Sequence, residues 1–464
     1  MAIEKHALKI LLAVYAVAAV VIIILFDGTG DAGDSVLHYL FAKSAPSHPE
    51  LFFNHWAKPI FTLFASPFAQ FGFVGIKVFN ALAIGFSIYF TIKSAELLGL
   101  KKSWLAGAFI VLSPMVLALT FSGLTEPLAA TFVSAALYLS LKNHFLFATI
   151  VVSFIPFIRS EGLIIAGVFG FYLLFKKQWK YIPALLVGHL VYSIAGFPFY
   201  DDFLWIFTKI PYSKLSSTYG EGTWNHFIQQ LLYVVGIPIY ALFWIGTLAA
   251  IIRHFKKKIT LEFSIQVVLG AWAFIAAHSV FWTLGIFNSM GLIRVLIAVI
   301  PCIVLISLYG FNTLSDLIPV KFPWLKTGLS SVVLIYLVVF PFTSNPAAFH
   351  WKKQFQLLPD QEAAQALAEH IKQTDLSDKS FVYAHPYLSE VLALDHFDTA
   401  HVKQLNTEKL TQLRENEIVI WDNWFSVVEL GLTKEFMNEQ TQLKRMEEFK
   451  TPNGEVFFVV YKRN

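Results

Sequence analysis

Long apolar runs separated by short polar connections occupy the chain from its N-terminus to about Phe342. A helix of about 20 apolar residues crosses the roughly 30 Å hydrocarbon core of a bilayer, so runs of this length predict membrane-spanning helices. The pattern predicts about eleven such helices, near residues 7–26, 76–98, 104–121, 127–141, 145–158, 162–175, 181–199, 230–252, 262–286, 291–310 and 327–343. The runs at 145–158 and 162–175 are short for a full crossing, and they predict interrupted helices or helices that lie partly in a cavity.

The segment 58–73 is also apolar, but Pro59, Pro67 and Gly72 interrupt it. Because prolines and glycines interrupt helices, we expect a juxtamembrane or re-entrant helix here and not a full span. The first run, residues 7–26, has the length of a span and lacks a small-residue cleavage site at its end. It is therefore interpreted as a retained first helix and not as a signal peptide.

The pattern changes after Ser344. An alanine-rich amphipathic stretch at 361–372 predicts a helix at or beyond the membrane surface. Short runs of β-branched and aromatic residues predict strands at 381–383, 418–421 and 456–461, with helical turns at 407–413 and 432–439 between them. We therefore predict two domains, a membrane domain over residues 1–345 and a small soluble α/β domain over residues 346–464.

The composition agrees with a polytopic α-helical membrane protein. Hydrophobic residues make up 56% of the chain and charged residues 14%, whereas a soluble domain carries about 25% charged residues. The mean hydropathy is +0.61. The single cysteine, Cys302, lies in an apolar run and predicts a packing role. The sequence contains no zinc spacing, Walker loop or dinucleotide fingerprint, and its net charge of +4 is modest, so we expect no nucleic-acid partner.

The connections alternate in charge, and this alternation predicts the orientation. Basic residues cluster at Lys101–Lys102, Lys142, Lys176–Lys180, Arg253–Lys258 and Lys321–Lys326. By the positive-inside rule these connections face the cytoplasm, as does the N-terminus. The outward connections are then 27–57, 121–126, 159–161, 200–229 and 287–290, and an odd number of spans places the C-terminal domain outside the cytoplasm. The short chain and the lack of retention signals favour a bacterial plasma membrane.

Polar residues at the membrane surface are informative, because they are costly near lipid and usually serve a cavity or a pathway. The first outward loop carries Asp27, Asp31 and Asp34 on a glycine-rich backbone. If Asp34 begins a helix, His38 lies one turn further along the same face. These acids predict a general base or a metal site. The alternative is a solvated loop in which Asp34 and Ser35 cap a helix.

Two further outward connections carry acids or an ion pair. Glu126 begins a span after Thr125, with Pro127 in the first turn, so it either serves a site or simply suits the positive end of the helix. Arg159 and Glu161 lie between the two short spans. They form either a structural ion pair or, through the arginine, a phosphate clamp.

The outer ends of the late spans add His278, Asn288 and Arg294. Arg294 lies one turn into an apolar helix, where it is either a snorkelling anchor or a second phosphate contact. His278 is predicted to be a core histidine. Because all these polar sites face outward, they together predict an extracytoplasmic cavity that binds a charged lipid head group.

These motifs resemble those of the GT-C superfamily, which comprises membrane glycosyltransferases that use polyprenyl-phosphate sugars. The resemblance is carried by the acids of the first external loop, by Glu126–Pro127, by Arg159–Gly162 and by the external C-terminal domain, and it covers most of residues 1–345. The stretches His55–Thr62 and Thr125–Leu128 are similar to those of bacterial relatives of dolichyl-phosphate-mannose mannosyltransferases.

The resemblance implies a reaction and the main roles in it. A sugar, mannose or another hexose, would pass with inversion from a polyprenyl-phosphate donor to a glycan, lipid or protein acceptor at the outer side of the lipid bilayer. The acid of the first loop would be the general base, a position matched by Asp34 with Asp31 as rival. Arg159 and Arg294 would hold the leaving phosphate.

Other residues would bind or orient substrate by the same resemblance. Glu126 would orient the acceptor or the sugar, or help to hold a divalent cation such as Mg²⁺ or Mn²⁺. Many members of the superfamily have two adjacent acids in the first loop, whereas here Ser35 follows Asp34. The identity of the base and the presence of a metal site therefore stay open. His38 and Glu161 complete the set of expected substrate contacts.

Trp56 and Lys58 either line the mouth of the cavity or anchor the chain at the membrane interface. The aromatic loop at 199–221 is long enough to cover a site, or it is an amphipathic interfacial element.

Two other functions lead to different predictions. A transporter or flippase of a lipid-linked saccharide predicts repeated halves and polar mid-span residues, which the sequence lacks. A non-catalytic assembly protein predicts that Asp34 is dispensable.

Overall fold

The computed structural model describes residues 2–211, 219–319, 321–374, 376 and 379–464. The chain is an integral membrane protein built mostly of helices. In the described part, seven helices are long and apolar enough to cross a membrane: His6–Leu25, Gly72–Leu97, Trp179–Tyr200, Ile237–Phe255, Phe263–Thr283, Ile293–Leu317 and Trp324–Phe342. Shorter apolar helices are Pro59–Ala69, Glu126–Leu141, Phe145–Phe157 and Gly162–Phe175. The total of eleven spans stays a prediction.

Smaller helices join and cover these elements. In the membrane domain they are Asp34–Ser44, Pro49–Phe53, Trp104–Val111, Pro114–Thr120, Trp205–Thr208 and His226–Val235. Towards the C-terminus they are Trp351–Phe355, Pro359–Lys372, Tyr387–Val391, Thr407–Thr411, Phe425–Glu429 and Lys434–Glu439. The loop predicted at 199–221 continues from the helix that ends at Tyr200, and its residues 212–218 lie outside the described part of the chain.

Two predicted spans are each divided into two helices. In the run at 104–121 the second helix begins at Pro114, which has no N–H to continue the hydrogen bonding of the helix before it. In the run at 230–252 the helices meet at Gly236, whose φ of 78° is a conformation that glycine adopts without strain. A continuous apolar run therefore does not establish that the helix is continuous.

Two long helices, Ile237–Phe255 and Ile293–Leu317, cross in backbone contact. A Cβ atom at Gly246 would lie 1.9 Å from a carbonyl oxygen of the other helix, and one at Gly310 would lie 2.1 Å from such an oxygen. Small residues allow this close approach, and in lipid van der Waals packing drives helix association. The crossing holds the second helix in the interior, together with Arg294 near its start.

The C-terminal part, residues 346–464, is called here the sheet domain. Its strands are β1 (Ser380–Tyr383), β2 (Val402–Gln404), β3 (Glu417–Asp422), β4 (Leu443–Lys450) and β5 (Val456–Arg463). Their order across the sheet is β2-β1-β3-β5-β4. β1 pairs in parallel with β2 and β3, whereas β5 is antiparallel to both β3 and β4.

The sequence predicted β1, β3 and β5 and missed the two edge strands. β2 has three residues, too few for a periodic signal. β4 is mostly polar with mainly exposed side chains, so it lacks the apolar alternation of a half-buried strand. The division of the chain between residues 345 and 346 stays a prediction.

The sheet domain is joined by polar contacts to the segment 27–57, which the charge pattern predicts to be the first external loop. The Glu390 carboxylate accepts hydrogen bonds from Tyr39 Oη at 2.9 Å and from Lys43 Nζ at 2.8 Å. The side-chain amide of Gln361 donates to Thr29 Oγ1 at 2.7 Å. Because these partners flank the acids of the loop, the sheet domain is packed against the segment that carries the candidate base.

Basic connections that were predicted to share one side are linked by ion pairs. Lys101 Nζ lies 2.7 Å from Asp316 Oδ1, and Lys176 Nζ lies 2.5 Å from Glu262 Oε1. These pairs tie together the ends of helices that the charge pattern assigned to the cytoplasmic side. The orientation itself, with the N-terminus inside and the sheet domain outside, stays a prediction.

Candidate active site

The first external loop folds around the side chain of Asp31. Its Oδ1 accepts backbone N–H groups from Gly33 at 3.0 Å and from Ser35 at 2.9 Å. Asp31 thereby satisfies donors at the start of the helix that begins at Asp34, as a helix cap does. This start also puts His38 one turn after Asp34, as the sequence predicted. These bonds come from Asp31, whereas the alternative interpretation had assigned the cap to Asp34 and Ser35.

The connection at 121–126 is held against this loop by a hydrogen bond and a close backbone approach. The backbone N–H of Gly123 donates to Ser35 Oγ at 2.7 Å. A Cβ atom at Gly123 would lie 2.1 Å from the carbonyl oxygen of Ser35, so only glycine fits this close approach. Asn80 fixes the connection from the other side, with its amide 2.6 Å from the Ser122 carbonyl oxygen. These contacts hold the loop and the start of the helix Glu126–Leu141 in a fixed relative position.

An acid–arginine cluster lies where these elements meet, and it comprises Asp31, Asp34, Glu126, Arg159, Glu161 and Arg294. Arg294 Nη1 is 3.1 Å from Asp31 Oδ2, and Nη2 donates to Asp34 Oδ2. Arg294 Nε is 3.4 Å from Glu126 Oε1. The guanidinium of Arg294 therefore bridges three carboxylates from two separate parts of the chain.

Arg159 forms the second half of the cluster. Its Nη1 is 2.7 Å from Glu126 Oε1, and its Nη2 is 2.8 Å from Glu161 Oε1. Nη1 also donates to Thr125 Oγ1 at 3.3 Å, whereas the Thr125 side chain makes no capping bond to its own helix. Glu126 is 0% exposed and lies between the two arginines, so it joins the two halves.

A cavity of about 560 Å³ opens beside the cluster. Of the residues predicted from the sequence, it is lined by Asp34, His38, Trp56, Lys58, Arg159, Glu161 and Arg294. A second cavity of about 230 Å³ adjoins it at Arg294 and is lined by Asp31. Among the predicted residues Glu126 lines neither cavity, because it is buried behind the arginines. Glu126 contacts Arg159 and Arg294, and its role in orienting the acceptor or the sugar stays a prediction.

Trp56, Lys58 and His38 form one wall of the larger cavity. The His38 and Trp56 rings are stacked, with centroids 4.7 Å apart. Lys58 is buried, and its Nζ donates to Ser160 Oγ at 3.2 Å. A lysine that serves as an interfacial anchor is exposed, so the anchor interpretation of Lys58 is wrong.

Arg294 and His278 also differ from their simplest interpretations. A snorkelling arginine extends towards water, whereas Arg294 is 18% exposed and paired with acids. His278 is buried against Phe227 and Phe274, as expected for a core histidine, but it also lines the larger cavity. Asn288 lines the same cavity.

The two loop acids differ in exposure and in proton affinity. The Asp34 side chain is 42% exposed and that of Asp31 is 31% exposed. Burial acts to raise the pKa of Asp34, but the charge of Arg294 and its hydrogen bond to the carboxylate outweigh burial and hold this pKa below its usual value. Burial raises the pKa of Asp31 in spite of Arg294. Asp34 is therefore the acid of the loop that stays ionised more readily.

Burial also changes the basic groups around the cavity. It lowers the pKa of His38 to about 3, so this ring is neutral at ordinary pH. Burial lowers the pKa of Lys58 to about 8, with Glu161 acting in the opposite direction. Burial acts to raise the pKa of Glu161, but Arg159 and other cations outweigh it and lower this pKa. The cavity thus combines fixed anions with cations that are held close to them.

The arrangement does not favour a divalent cation. Within the described ranges, no group of three or more His, Cys, Asp or Glu side chains is arranged to hold a metal ion. Asp31, Asp34 and Glu126, which would be the ligands, are each within ion-pair distance of the Arg294 guanidinium. The positive charge that these acids require is therefore supplied by an arginine.

Four residues of the sheet domain that no sequence motif identified also belong to the site. His396, Gln404, Phe425 and Glu429 line the larger cavity. These residues lie more than 360 positions after Asp34 in the chain and share no motif with it. Only the docking of the sheet domain on the first external loop brings them to the site, so no local pattern could have identified them.

Comparison with solved structures places this arrangement in a known architecture. The chain is similar to ArnT from Cupriavidus metallidurans bound to undecaprenyl phosphate, with a TM-score of 0.63, 11% sequence identity and 97% coverage of both chains. Apo ArnT from the same organism gives a TM-score of 0.62 at 11% identity, again over 97% of both chains. No protein-family profile and no curated protein sequence matches the chain. The predicted GT-C-like membrane fold with a small C-terminal α/β domain is confirmed.

Proposed function

We propose that this protein is a membrane glycosyltransferase. It moves a sugar from a polyprenyl-phosphate donor to an acceptor hydroxyl outside the cytoplasm, with inversion at the anomeric carbon. The observation that carries this proposal is an exposed carboxylate, Asp34, in a cavity that also presents Arg159, Arg294 and Lys58. ArnT, which shares the fold, is a GT-C glycosyltransferase, and one of its structures contains undecaprenyl phosphate.

Asp34 is proposed as the general base. Arg294 donates to its Oδ2, whereas Oδ1 has no hydrogen-bond partner among the described residues, and Asp34 lines the larger cavity. An acceptor hydroxyl that binds Oδ1 loses its proton to Asp34 as its oxygen attacks the anomeric carbon. The new C–O bond forms while the bond from the sugar to the phosphate oxygen breaks. That bonding pair leaves with the polyprenyl phosphate.

Asp31 is less suited to this role. Its Oδ1 accepts two backbone N–H groups and its Oδ2 contacts Arg294, so both oxygens are already engaged. An acid that maintains the loop in this way positions the base and has no oxygen left for a substrate. We therefore assign Asp31 a supporting role and Asp34 the proton transfer.

Arg159 and Lys58 are proposed to hold the leaving phosphate, with Arg294 as a third cation. Guanidinium groups bind phosphate oxygens in a bidentate manner, and charge placed in advance where negative charge develops lowers the barrier. Glu126 and Glu161 hold Arg159 in place. The acceptor is a glycan, lipid or protein, and mannose or another hexose is the proposed sugar. The bilayer is the plasma membrane of a bacterium.

The test is transfer of radiolabelled sugar from polyprenyl-phosphate-mannose by membranes that contain the wild type or Asp34→Asn. Loss of a general base lowers the rate by about 10²–10⁴-fold, and we expect a loss of this size. Asp27→Asn, an exposed acid of the same loop, is the matched control and should keep full activity. Chelation by EDTA should leave the wild-type rate unchanged, because Arg294 supplies the charge that a metal would.

Three outcomes would contradict parts of this proposal. Equal rates for the wild type and Asp34→Asn would remove Asp34 from the mechanism and transfer its role to Asp31. A loss of activity with EDTA that is restored by Mg²⁺ or Mn²⁺ would restore the metal site. No transfer from mannose, glucose or galactose donors by the wild type would contradict the glycosyltransferase itself.

A further inference from the structure

The sheet domain contacts the loop of the candidate base directly. A Cβ atom at Gly33 would lie 3.1 Å from Cζ of Phe425, so the Phe425 ring packs against the residue immediately before Asp34. The helix Phe425–Glu429 continues from this contact along the cavity, and Glu429 at its end is one of the lining residues. Side chains of the sheet domain are therefore within reach of a substrate that is bound at Asp34.

Glu429 is a carboxylate without a counterion. Its side chain is exposed to the cavity, and it makes no hydrogen bond or ion pair among the described residues. Burial, and after it the negative charges of Asp34 and Asp422, raise the pKa of Glu429. Every acid of the acid–arginine cluster has an arginine partner, whereas Glu429 has none. Its oxygens are thus available as acceptors for donors that a ligand brings.

His396 lines the same cavity. Its Nδ1 is 2.7 Å from Ser389 Oγ, which is 2.7 Å from Tyr383 Oη. Both Ser389 and Tyr383 are buried. Among the described residues the Tyr383 hydroxyl has no other acceptor, so it donates to Ser389, and Ser389 donates to Nδ1. Burial lowers the pKa of His396 to about 4, so the ring is neutral and its proton is on Nε2.

We infer that His396 and Glu429 form a saccharide-recognition site in which the sheet domain selects the sugar to be handled at Asp34. A ring hydroxyl is both a donor and an acceptor, so it matches a carboxylate oxygen on one side and an N–H group on the other. The saccharide is either the sugar of the donor or the glycan of the acceptor. This inference rests on the proposed function for the reaction, but it is a statement about binding.

The test measures binding by the purified full-length protein. The probes are undecaprenyl phosphate, the same lipid phosphate carrying glucose, galactose, mannose or N-acetylglucosamine, and the octyl glycosides of these sugars. The variants are Glu429→Ala and His396→Phe, with Glu429→Gln as the conservative variant that keeps an acceptor oxygen. Glu447→Ala is the matched control, an exposed acid on β4 with no ion pair among the described residues. Thermal denaturation checks that each variant is folded.

We expect a sugar-bearing ligand to bind the wild type more tightly than its sugar-free counterpart. Glu429→Ala should lower this gain in affinity by about tenfold or more, because a hydrogen bond to a charged group is lost. Glu429→Gln should keep part of the gain, and undecaprenyl phosphate should bind all variants equally. A gain confined to the lipid phosphates identifies the donor sugar as the ligand, and a gain confined to the octyl glycosides identifies the acceptor.

Three results would overturn the inference. The first is an unchanged gain in both Glu429→Ala and His396→Phe, and the second is a wild type without any gain. An equal loss of affinity for undecaprenyl phosphate and its glycosylated forms would also overturn it, because this loss indicates a structural role. A different combination is a wild type that transfers no sugar and still binds sugar-bearing ligands more tightly, with this gain lost in Glu429→Ala. That combination would contradict the proposed reaction but support the saccharide-recognition site.

Discussion

At the scale of single residues, the pairing of Asp34 with Arg294 is the main feature of the site. A base works only when it is ionised, and the arginine favours the ionised form while leaving one carboxylate oxygen for the acceptor. The contact therefore keeps the Asp34 carboxylate ionised at neutral pH. It also makes this carboxylate a weaker base, because its pKa is lowered.

The pH dependence of transfer should report the contact between Arg294 and Asp34. Arg294 lowers the pKa of Asp34, so removing its charge in Arg294→Gln should raise this pKa. Activity requires ionised Asp34, and the acid limb of the profile of kcat/KM against pH should therefore move to higher pH. Arg253→Gln, at a site that contacts Tyr309 away from the cavity, should leave the limb in place. A shift to lower pH, or none, would contradict the assignment of Asp34.

At the scale of elements, apolar runs were sufficient to predict most helices, because lipid forces backbone groups to bond within their own segment. They were insufficient at Pro114 and Gly236, where one residue breaks the helix without altering the hydropathy of its surroundings. They were also insufficient for β4, whose polar sequence reflects its place at the edge of the sheet. The hydrophobicity of a segment therefore indicates whether lipid or water surrounds it, but it does not indicate whether the helix is continuous.

The crossing at Gly246 and Gly310 provides a prediction at the same scale. Gly310→Val places a branched side chain against a backbone oxygen that a Cβ alone would approach to 2.1 Å. Overpacking of this kind costs about 1–3 kcal/mol or more, so the protein should denature at a lower temperature in detergent. Gly167→Val, in a helix where a Cβ meets nothing within 4 Å, is the control. Equal melting temperatures for the two variants would contradict the crossing.

At the scale of the whole molecule, the site is made from parts that are far apart in the chain. The residues of the acid–arginine cluster were selected from the sequence because costly polar groups gathered at the predicted outer ends of separate spans. The sequence also offered the Arg159–Glu161 ion pair as an alternative, which the structure contains. It did not identify the other pairings, since Glu126 holds two arginines and Asp31 accepts hydrogen bonds at the start of a helix. It also did not identify Glu429 and His396, whose positions depend on the docking of the sheet domain.

The docking of the sheet domain should be measurable through Glu390. Glu390→Gln removes the charge that Lys43 pairs with and weakens the bond from Tyr39, so the helix Asp34–Ser44 should exchange its amide hydrogens faster. Partly exposed pairs contribute about 1 kcal/mol or less, and the expected increase is therefore a fewfold. Glu369→Gln, which removes an exposed pair with Lys372 inside one helix, is the control. Unchanged exchange in Glu390→Gln would show that other contacts maintain the docking.

The packing of Phe425 on Gly33 has a pharmacological consequence. A molecule that inhibits an enzyme of this kind would ordinarily have to partition into lipid and compete with a long isoprenoid. Here Phe425, which packs beside the candidate base, belongs to the sheet domain and not to a membrane-spanning helix. If the sheet domain lies outside the cytoplasm, as the charge pattern predicts, an antibody fragment or a cyclic peptide would bind it from the aqueous side. Displacing the Phe425 ring would loosen the loop that carries Asp34, and the proposed transferase would be inhibited by a ligand that never enters the bilayer.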